Sequence, residues 1–189
     1  MVFACLLQPG WLQAQAFNSE YDEYFKRYSD RYLLIYLPDG DWRWFKAQCI
    51  QESGFRLDPL AASGAGAVGT CQIIPDAATD VGLHPDERTD PEKNIKAAAK
   101  LLRRNIREWW PRETRYQRLQ LGQASYNAGA GNIIEAQFKC GSPVVWKDIA
   151  PCLHLVTGLN NSYETIHYVA VIPKWYRGIV YQDSQESSK

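Results

Sequence analysis

The sequence predicts a mainly α-helical domain with little or no β-structure. Three observations lead there. Apolar and aromatic residues recur at helical spacing through several long stretches, such as Tyr21, Tyr24, Phe25 and Tyr28. Helix-start signals stand in front of these stretches, among them Asp90-Pro91 and Asn161-Ser162. Breaks containing Gly or Pro separate them, as at Pro38-Asp39-Gly40. The chain has 189 residues, enough for one domain with a buried core.

In chain order, Asn18-Ser19 followed by acidic residues starts the first helix. Its stripe of Tyr21, Tyr24, Phe25, Tyr28, Tyr32 and Leu33 or Ile35 reads as core packing. Asp41 caps a second helix through Trp42, Phe45, Cys49 and Ile50, ending near Ser53-Gly54. Residues 54–69 are rich in Gly, Ala and Ser without a strong period, so a loop or short strand-like excursion is expected. Pro75 suits the first turn of a short helix to Val81. His84 to Thr89 is polar and loop-like. Asp90-Pro91 caps a long helix through Ile95, Ala98, Ala99, Leu102, Ile106 and Trp109, stopped by Pro111. Further helices fit Thr114 to Ala128 and Asn132 to Phe138, with an irregular stretch from Cys140 to Pro151. The last helix is expected from Asn161-Ser162 through Ile166, Val169, Ile172 and Tyr176, kinked at Pro173. No internal repeat is visible.

Lys plus Arg and Asp plus Glu both number 21, for a formal net charge of zero. That leaves no general basic field to hold a nucleic-acid backbone, so no nucleic-acid partner is expected. Hydrophobic residues at 46% and charged residues at 22% exclude wholesale disorder. Aromatics at 13% serve cores and also line sugar-binding clefts. No apolar run is long enough for a membrane span. Met1 to Leu7 is apolar and Ala14-Gln15-Ala16 fits a small-x-small cleavage pattern. Residues 1–16 therefore read as a clipped secretory leader, residues 17–181 as the domain, and 182–189, which lack apolar side chains, as a flexible tail. A frayed cytosolic segment is the alternative for the leader.

Setting Cys5 with the leader leaves Cys49, Cys71, Cys140 and Cys152, for which three pairings exist. Cys140 and Cys152 flank a Gly-Ser-Pro turn, which makes them the favoured pair and Cys49–Cys71 the second. No metal site is expected: there is no CxxC, and His84, His154 and His167 are scattered. No cofactor is expected either.

Glu52 ends a helix beside apolar Ile50 and precedes a Gly-rich segment. A carboxyl at the edge of a poorly hydrated cleft stays protonated near neutral pH, as a general acid must. Alone this is a weak signal, because most acids are solvated surface charges. The chain then carries Ala62-Ser63-Gly64-Ala65-Gly66, Gly69-Thr70-Cys71-Gln72 and Pro75, later Tyr126-Asn127-Ala128-Gly129, and finally Glu164-Thr165 with Tyr168-Val169. Together with Glu52-Ser53, these four motifs in this order resemble the lytic transglycosylase family of the soluble, goose-lysozyme-like type, over residues 41–180. Asn94, at the start of the long helix, matches an Asn of that family.

The resemblance implies a lysozyme-like helical domain with a substrate cleft. It makes Glu52 the single acid/base. It assigns substrate contacts to Ser63, Gln72, Tyr126, Glu164 and Tyr168, and structural support to Ser53, Gly69 and Asn127. Ser63 is placed to bond the Glu52 carboxyl or an N-acetyl group, and the Tyr126 hydroxyl to reach Glu52 or that acetamido group. Glu164 would line the far side of the cleft, with Tyr168 one helical turn on and on the same face. Three departures stand out: Thr70-Cys71 replaces the family's Leu-Met before Gln72, the Glu52–Ser63 stretch is longer, and Cys49 and Cys71 flank the site. A Cys49–Cys71 bridge would tie the catalytic helix to the cleft wall.

The resemblance implies cleavage between N-acetylmuramic acid and N-acetylglucosamine in peptidoglycan strands, closing the muramic acid as a 1,6-anhydro sugar. Glycosidases that use water need two carboxylates. Asp58 and Asp76, the nearest acids to Glu52 in sequence, are explained by loop and helix-start roles. A hydrolytic muramidase and a catalytically idle wall-binding protein are the alternatives. A monomer in the periplasm or outside the cell is expected. The neutral net charge leaves delivery by an envelope-machinery partner open.

Overall fold

The computed structural model describes residues 17–53, 66–109 and 114–188. Within them the chain is built from helices. These are α1 (Asp22–Tyr32), α2 (Arg43–Glu52), α3 (Pro75–Asp80), α4 (Pro91–Arg107), α5 (Arg115–Ala128), α6 (Ala130–Lys139), α7 (Trp146–Ile149) and α8 (His154–Glu186). Single turns of 3-10 helix occupy Pro38–Gly40, Pro85–Glu87 and Ala150–Cys152. Among the described residues the one β-pairing is an isolated antiparallel bridge between Val68 and Ile73.

Local chemistry sets the helix ends. Asp90 accepts from the Lys93 amide at 2.8 Å, and Pro91 fills the first turn of α4, where its missing N–H costs nothing. Thr114 and Gln117 form a reciprocal capping box at the start of α5. Asp41 accepts from the Arg43 amide at 3.0 Å and so starts α2. The first helix begins at Asp22, three residues later than Asn18-Ser19 suggests. Asn18 spends its side-chain oxygen on the Glu20 amide at 2.8 Å, which makes a turn before the helix. Leu33 is buried just past the helix end, and Ile35 is exposed.

The stretch from Cys140 to Pro151 is less irregular than its composition suggests. Trp146 and Ile149 are buried, and the chain coils as α7 to bury them. The last helix is continuous from Gly158 onward. Gly158 itself (φ 79°, ψ 167°) separates it from one turn beginning at His154, and Pro173 lies inside it. It runs through Glu186, into the polar stretch expected to fray. There Asp183 accepts from Arg43 Nε at 2.6 Å.

The core lies where α5 meets α4, α6 and α8, and where α2 packs on α8. Gly122 allows the α4–α5 crossing: a Cβ there would stand 2.4 Å from Ile106 Cγ1. Phe25 and Phe45 meet edge to face at 5.3 Å and close α1 onto α2. Lys46 is 1% exposed; its ammonium donates to the Asn18 carbonyl at 2.8 Å and to Asp22 at 2.5 Å, which satisfies the buried charge. Cys49–Cys71 and Cys140–Cys152 are both disulfide-bonded. Among the described residues no helix is long and apolar enough to cross a membrane.

Candidate active site

Glu52 is the last residue of α2, so the placement of α2 decides where its carboxyl points. Helix α8 fixes that placement. Trp44 stacks on Tyr176 at 3.9 Å, Tyr176 Oη donates to Asp41 at 3.0 Å, and Trp175 Nε1 donates to Gln51, beside Glu52, at 3.0 Å. Ser53 Oγ donates back to the Cys49 carbonyl at 3.0 Å and caps the final turn. Tyr168, further along α8, donates its hydroxyl proton to Glu52 Oε1.

Electrostatics keep this carboxyl protonated. Burial pushes Glu52 up to about 8 from 4.5, the Tyr168 hydrogen bond pulls it down, and the charge of Glu164 adds to the rise. The carbonyl end of α2 acts in the same direction, because negative charge is disfavoured there. Tyr168 and Tyr126 are both pushed well above the ordinary tyrosine range, chiefly by burial and then by the Glu52 charge. At neutral pH all three groups carry their protons. Oε1 accepts from Tyr168, so the acidic proton of Glu52 is left to Oε2.

The opposite wall is the turn from Gly66 to Ile74, closed by the Val68–Ile73 bridge. Residue 71 is its anchor. The Cys71 sulfur is bonded to Cys49, one turn before Glu52. The Cys71 amide donates to Asn94 Oδ1 at 2.9 Å, and the Cys71 carbonyl accepts from Tyr126 Oη at 2.9 Å. Asn94 is fully buried and also donates to the carbonyls of Arg88 (2.7 Å) and Val68 (3.2 Å). Gly69 lets this amide approach: its φ is 88°, and a Cβ would lie 2.3 Å from Asn94 Nδ2 and 2.4 Å from the Arg88 carbonyl. Gln72 sits in the left-handed region at φ 47°, with Nε2 donating to the Gly69 carbonyl at 3.0 Å. A non-glycine residue held there is a local strain of the sort that clusters at functional sites.

The structure brings Glu52, Tyr168, Tyr126 and the Gln72 turn together. Tyr126 spends its hydroxyl proton on Cys71 and not on Glu52. Tyr168 is 4% exposed and faces Glu52, while Glu164, one turn earlier, is exposed. One helical turn apart on the side of α8 that faces Glu52, Tyr168 lies in the interior and Glu164 at the exposed rim. Asn127 Oδ1 accepts from Thr165 Oγ at 2.7 Å, which joins the end of α5 to α8. Ser63 and Asp58 lie outside the described residues. Asp76 is exposed at the start of α3. Among the described residues no group of three or more His, Cys, Asp or Glu could hold a metal ion.

Sequence reading gives no task to three residues that shape the site, Asn94, Gln51 and Trp175. Asn94 occupies an interior helix position beside Ile95, although Asp90 already caps that helix. An Asn there disfavours the helix unless it bonds elsewhere, which adds a physical signal to its match with the family's Asn. The Gln51–Trp175 bond joins residues 124 positions apart and leaves no local trace.

Comparison with known proteins bears on the family and the fold. The family model described as the transglycosylase SLT domain matches residues 38–147. A membrane-bound lytic murein transglycosylase F of Shewanella loihica is 29% identical over 197 aligned positions, covering 97% of this chain and 40% of the relative. Its counterpart in Aliivibrio fischeri is 29% identical over 168 positions, covering 82% of this chain and 33% of the relative. The chain thus spans well under half the length of these relatives. In fold, it matches the 70 kDa soluble lytic transglycosylase SLT70 of Escherichia coli with a TM-score of 0.68 at 22% identity, over 87% of this chain and 25% of the other. An inactive Glu-to-Gln mutant of the lytic transglycosylase Slt from Pseudomonas aeruginosa matches at 0.63 and 20% identity, over 90% and 25%.

Proposed function

The chain belongs to the transglycosylase SLT domain family, and from that premise we propose that it cleaves peptidoglycan as a lytic transglycosylase, with Glu52 as its single acid/base. The observation that carries the reading is the Glu52 carboxyl itself, held by Tyr168 and pushed up to about 8 by burial. A carboxyl that keeps its proton at neutral pH is what protonation of a glycosidic oxygen requires.

Oε2 of Glu52 gives its proton to the oxygen between N-acetylmuramic acid and N-acetylglucosamine. The bond to the muramic C1 breaks, and the acetamido group of the same sugar stabilises the positive charge that develops there. Glu52, now a carboxylate, takes the proton from the C6 hydroxyl. That oxygen closes on C1 and gives the 1,6-anhydro sugar, with Glu52 protonated again. Tyr168 steadies Oε1 throughout, because its hydrogen bond strengthens when Glu52 is charged. Gln72 and Tyr126 border the site on the turn side, and Glu164 on the α8 side; Ser63 is a further proposed substrate contact. Two disulfides suit an oxidising compartment, so the reading places the protein in the periplasm or outside the cell.

One observation favours a second reading, a muramidase that uses water. Glu164 is close enough to raise Glu52, and a second carboxylate is what hydrolysis needs. The first test is solubilisation of purified murein sacculi by the protein and by Glu52→Gln. The proposal expects release of soluble muropeptides by the wild type and a loss of about a thousandfold or more in the variant. Equal activity in the two would remove Glu52 from the reaction.

A further inference from the structure

The zero net charge conceals an uneven distribution. Between residues 93 and 109 stand six cationic side chains and a single acid, Glu108. Helical spacing sets Lys96, Lys100, Arg103 and Arg107 along one stripe of α4, away from the face that buries Ile95, Ala98, Leu102 and Ile106. Lys100, Arg103, Arg104, Arg107 and Glu108 line a groove of about 460 Å³. Two of these cations are tied to the end of α3. Arg104 pairs with Asp80 at 2.9 Å, and Lys100 Nζ donates to the Val81 carbonyl at 2.8 Å. Arg103 and Arg107 have no ion pair or hydrogen bond among the described residues. The groove therefore presents two uncommitted guanidinium groups on a wall that is already held.

We propose that this groove is an accessory docking site for the carboxylates of murein peptide stems, beside the strand being cut. The proposal rests on the peptidoglycan reading above and adds a second, non-catalytic contact. Three observations favour stem carboxylates. Guanidinium forks match carboxylates in two-point hydrogen bonds, and three of the four cations lining the groove are Arg. Concave shape suits discrete anionic groups better than the flat face of a bilayer. Among the described residues no large apolar side chain is exposed between Pro75 and Trp109, so this stretch lacks the anchors that a lipid-binding surface uses.

The position is also suitable. Helix α3 starts directly after the turn that carries Gln72 and ends at the groove, so one short element separates the cleft wall from the docking site. A neutral protein has no bulk attraction to an anionic polymer, and a local cluster supplies it where the polymer passes.

The test measures binding in the Glu52→Gln background, so that substrate is not consumed, and steady-state kinetics in the wild-type background. The variant pair is Arg103→Gln with Arg107→Gln, checked for an unchanged melting temperature. Three probes are compared: intact sacculi, glycan strands stripped of stems by an amidase, and vesicles of phosphatidylglycerol. The proposal expects binding to intact sacculi to weaken by about five- to tenfold, as two exposed charge-assisted contacts would give. It expects KM to rise by a similar factor with kcat unchanged, the loss to shrink at high salt, and stripped strands to be unaffected. An equal loss on stripped strands overturns it, and so does no loss on sacculi. A loss confined to the vesicles assigns the groove to a lipid surface and overturns it as well. A wild type that binds sacculi but cuts nothing refutes the catalytic reading, while the binding arms still decide this proposal.

Discussion

Replacing Glu52 by Gln should make the folded protein more stable, and the gain should depend on pH. In the native state the carboxyl titrates at about 8 and in the unfolded chain near 4.5. Below about pH 4.5 both states hold the proton, and wild type and variant differ little. As pH rises from there towards 8, the unfolded chain releases a proton that the native state keeps, so the wild type loses stability progressively. At 1.36 kcal/mol for each tenfold change, the ceiling is roughly 4–5 kcal/mol. Glu52 is only half-buried and some solvent reaches it, so about 2–3 kcal/mol is the expected gain at pH 8. Gln keeps the shape and can still accept from Tyr168, so packing changes are small. Urea unfolding of both proteins at pH 4.5, 6 and 8 measures the difference directly. A difference that stays flat across this range would show that Glu52 is an ordinary solvated carboxylate, and the acid role would go with it.

Tyr168→Phe removes the hydrogen bond that lowers Glu52, so the alkaline limb of the activity profile should move up by about one pH unit while the rate falls; an unmoved limb would detach Tyr168 from Glu52. Replacing Cys49 and Cys71 together by Ala opens a covalent link across a sequence separation of 22, worth about 3 kcal/mol on the loop-entropy account, and the melting temperature should drop by roughly 6–12 °C. The same pair should lower activity more than Cys140→Ala with Cys152→Ala, since only the first bridge joins Glu52's helix to the Gln72 turn. Gly69→Ala forces a Cβ against Asn94 and the Arg88 carbonyl at a positive φ, and should cost about 2–4 kcal/mol in denaturant unfolding. A loss under about 0.5 kcal/mol would mean the turn relaxes freely and is not clamped.

Much of the fold was legible because its signals are local. Asp90-Pro91 starts α4 and the spacing from Ile95 to Ile106 sustains it, each through residues a few positions apart. The stretch from Cys140 to Pro151 misled because only two large side chains, Trp146 and Ile149, drive its coiling. Of the site, the motif residues were legible as a set, and their partners were not. Tyr168 lies 116 positions from Glu52, and nothing in either segment says that the ring turns inward to the carboxyl. Tyr126 reads equally well as a sugar contact or as a tether, and the carbonyl it bonds is set by how the turn folds. Asn94 was legible as a match to the family's Asn, but its bonds to the turn were not, because the carbonyls and amide it meets belong to segments distant in sequence.

The central claim is that one carboxyl both gives and takes the proton, with the sugar's own hydroxyl closing the ring. Digestion of murein in water enriched in heavy oxygen, followed by mass spectrometry of the new muramic ends, tests it most directly. The account predicts 1,6-anhydro ends that carry no solvent oxygen and fall short of a reducing end by the mass of one water. Reducing ends bearing the heavy isotope would contradict it and favour the reading in which water attacks C1.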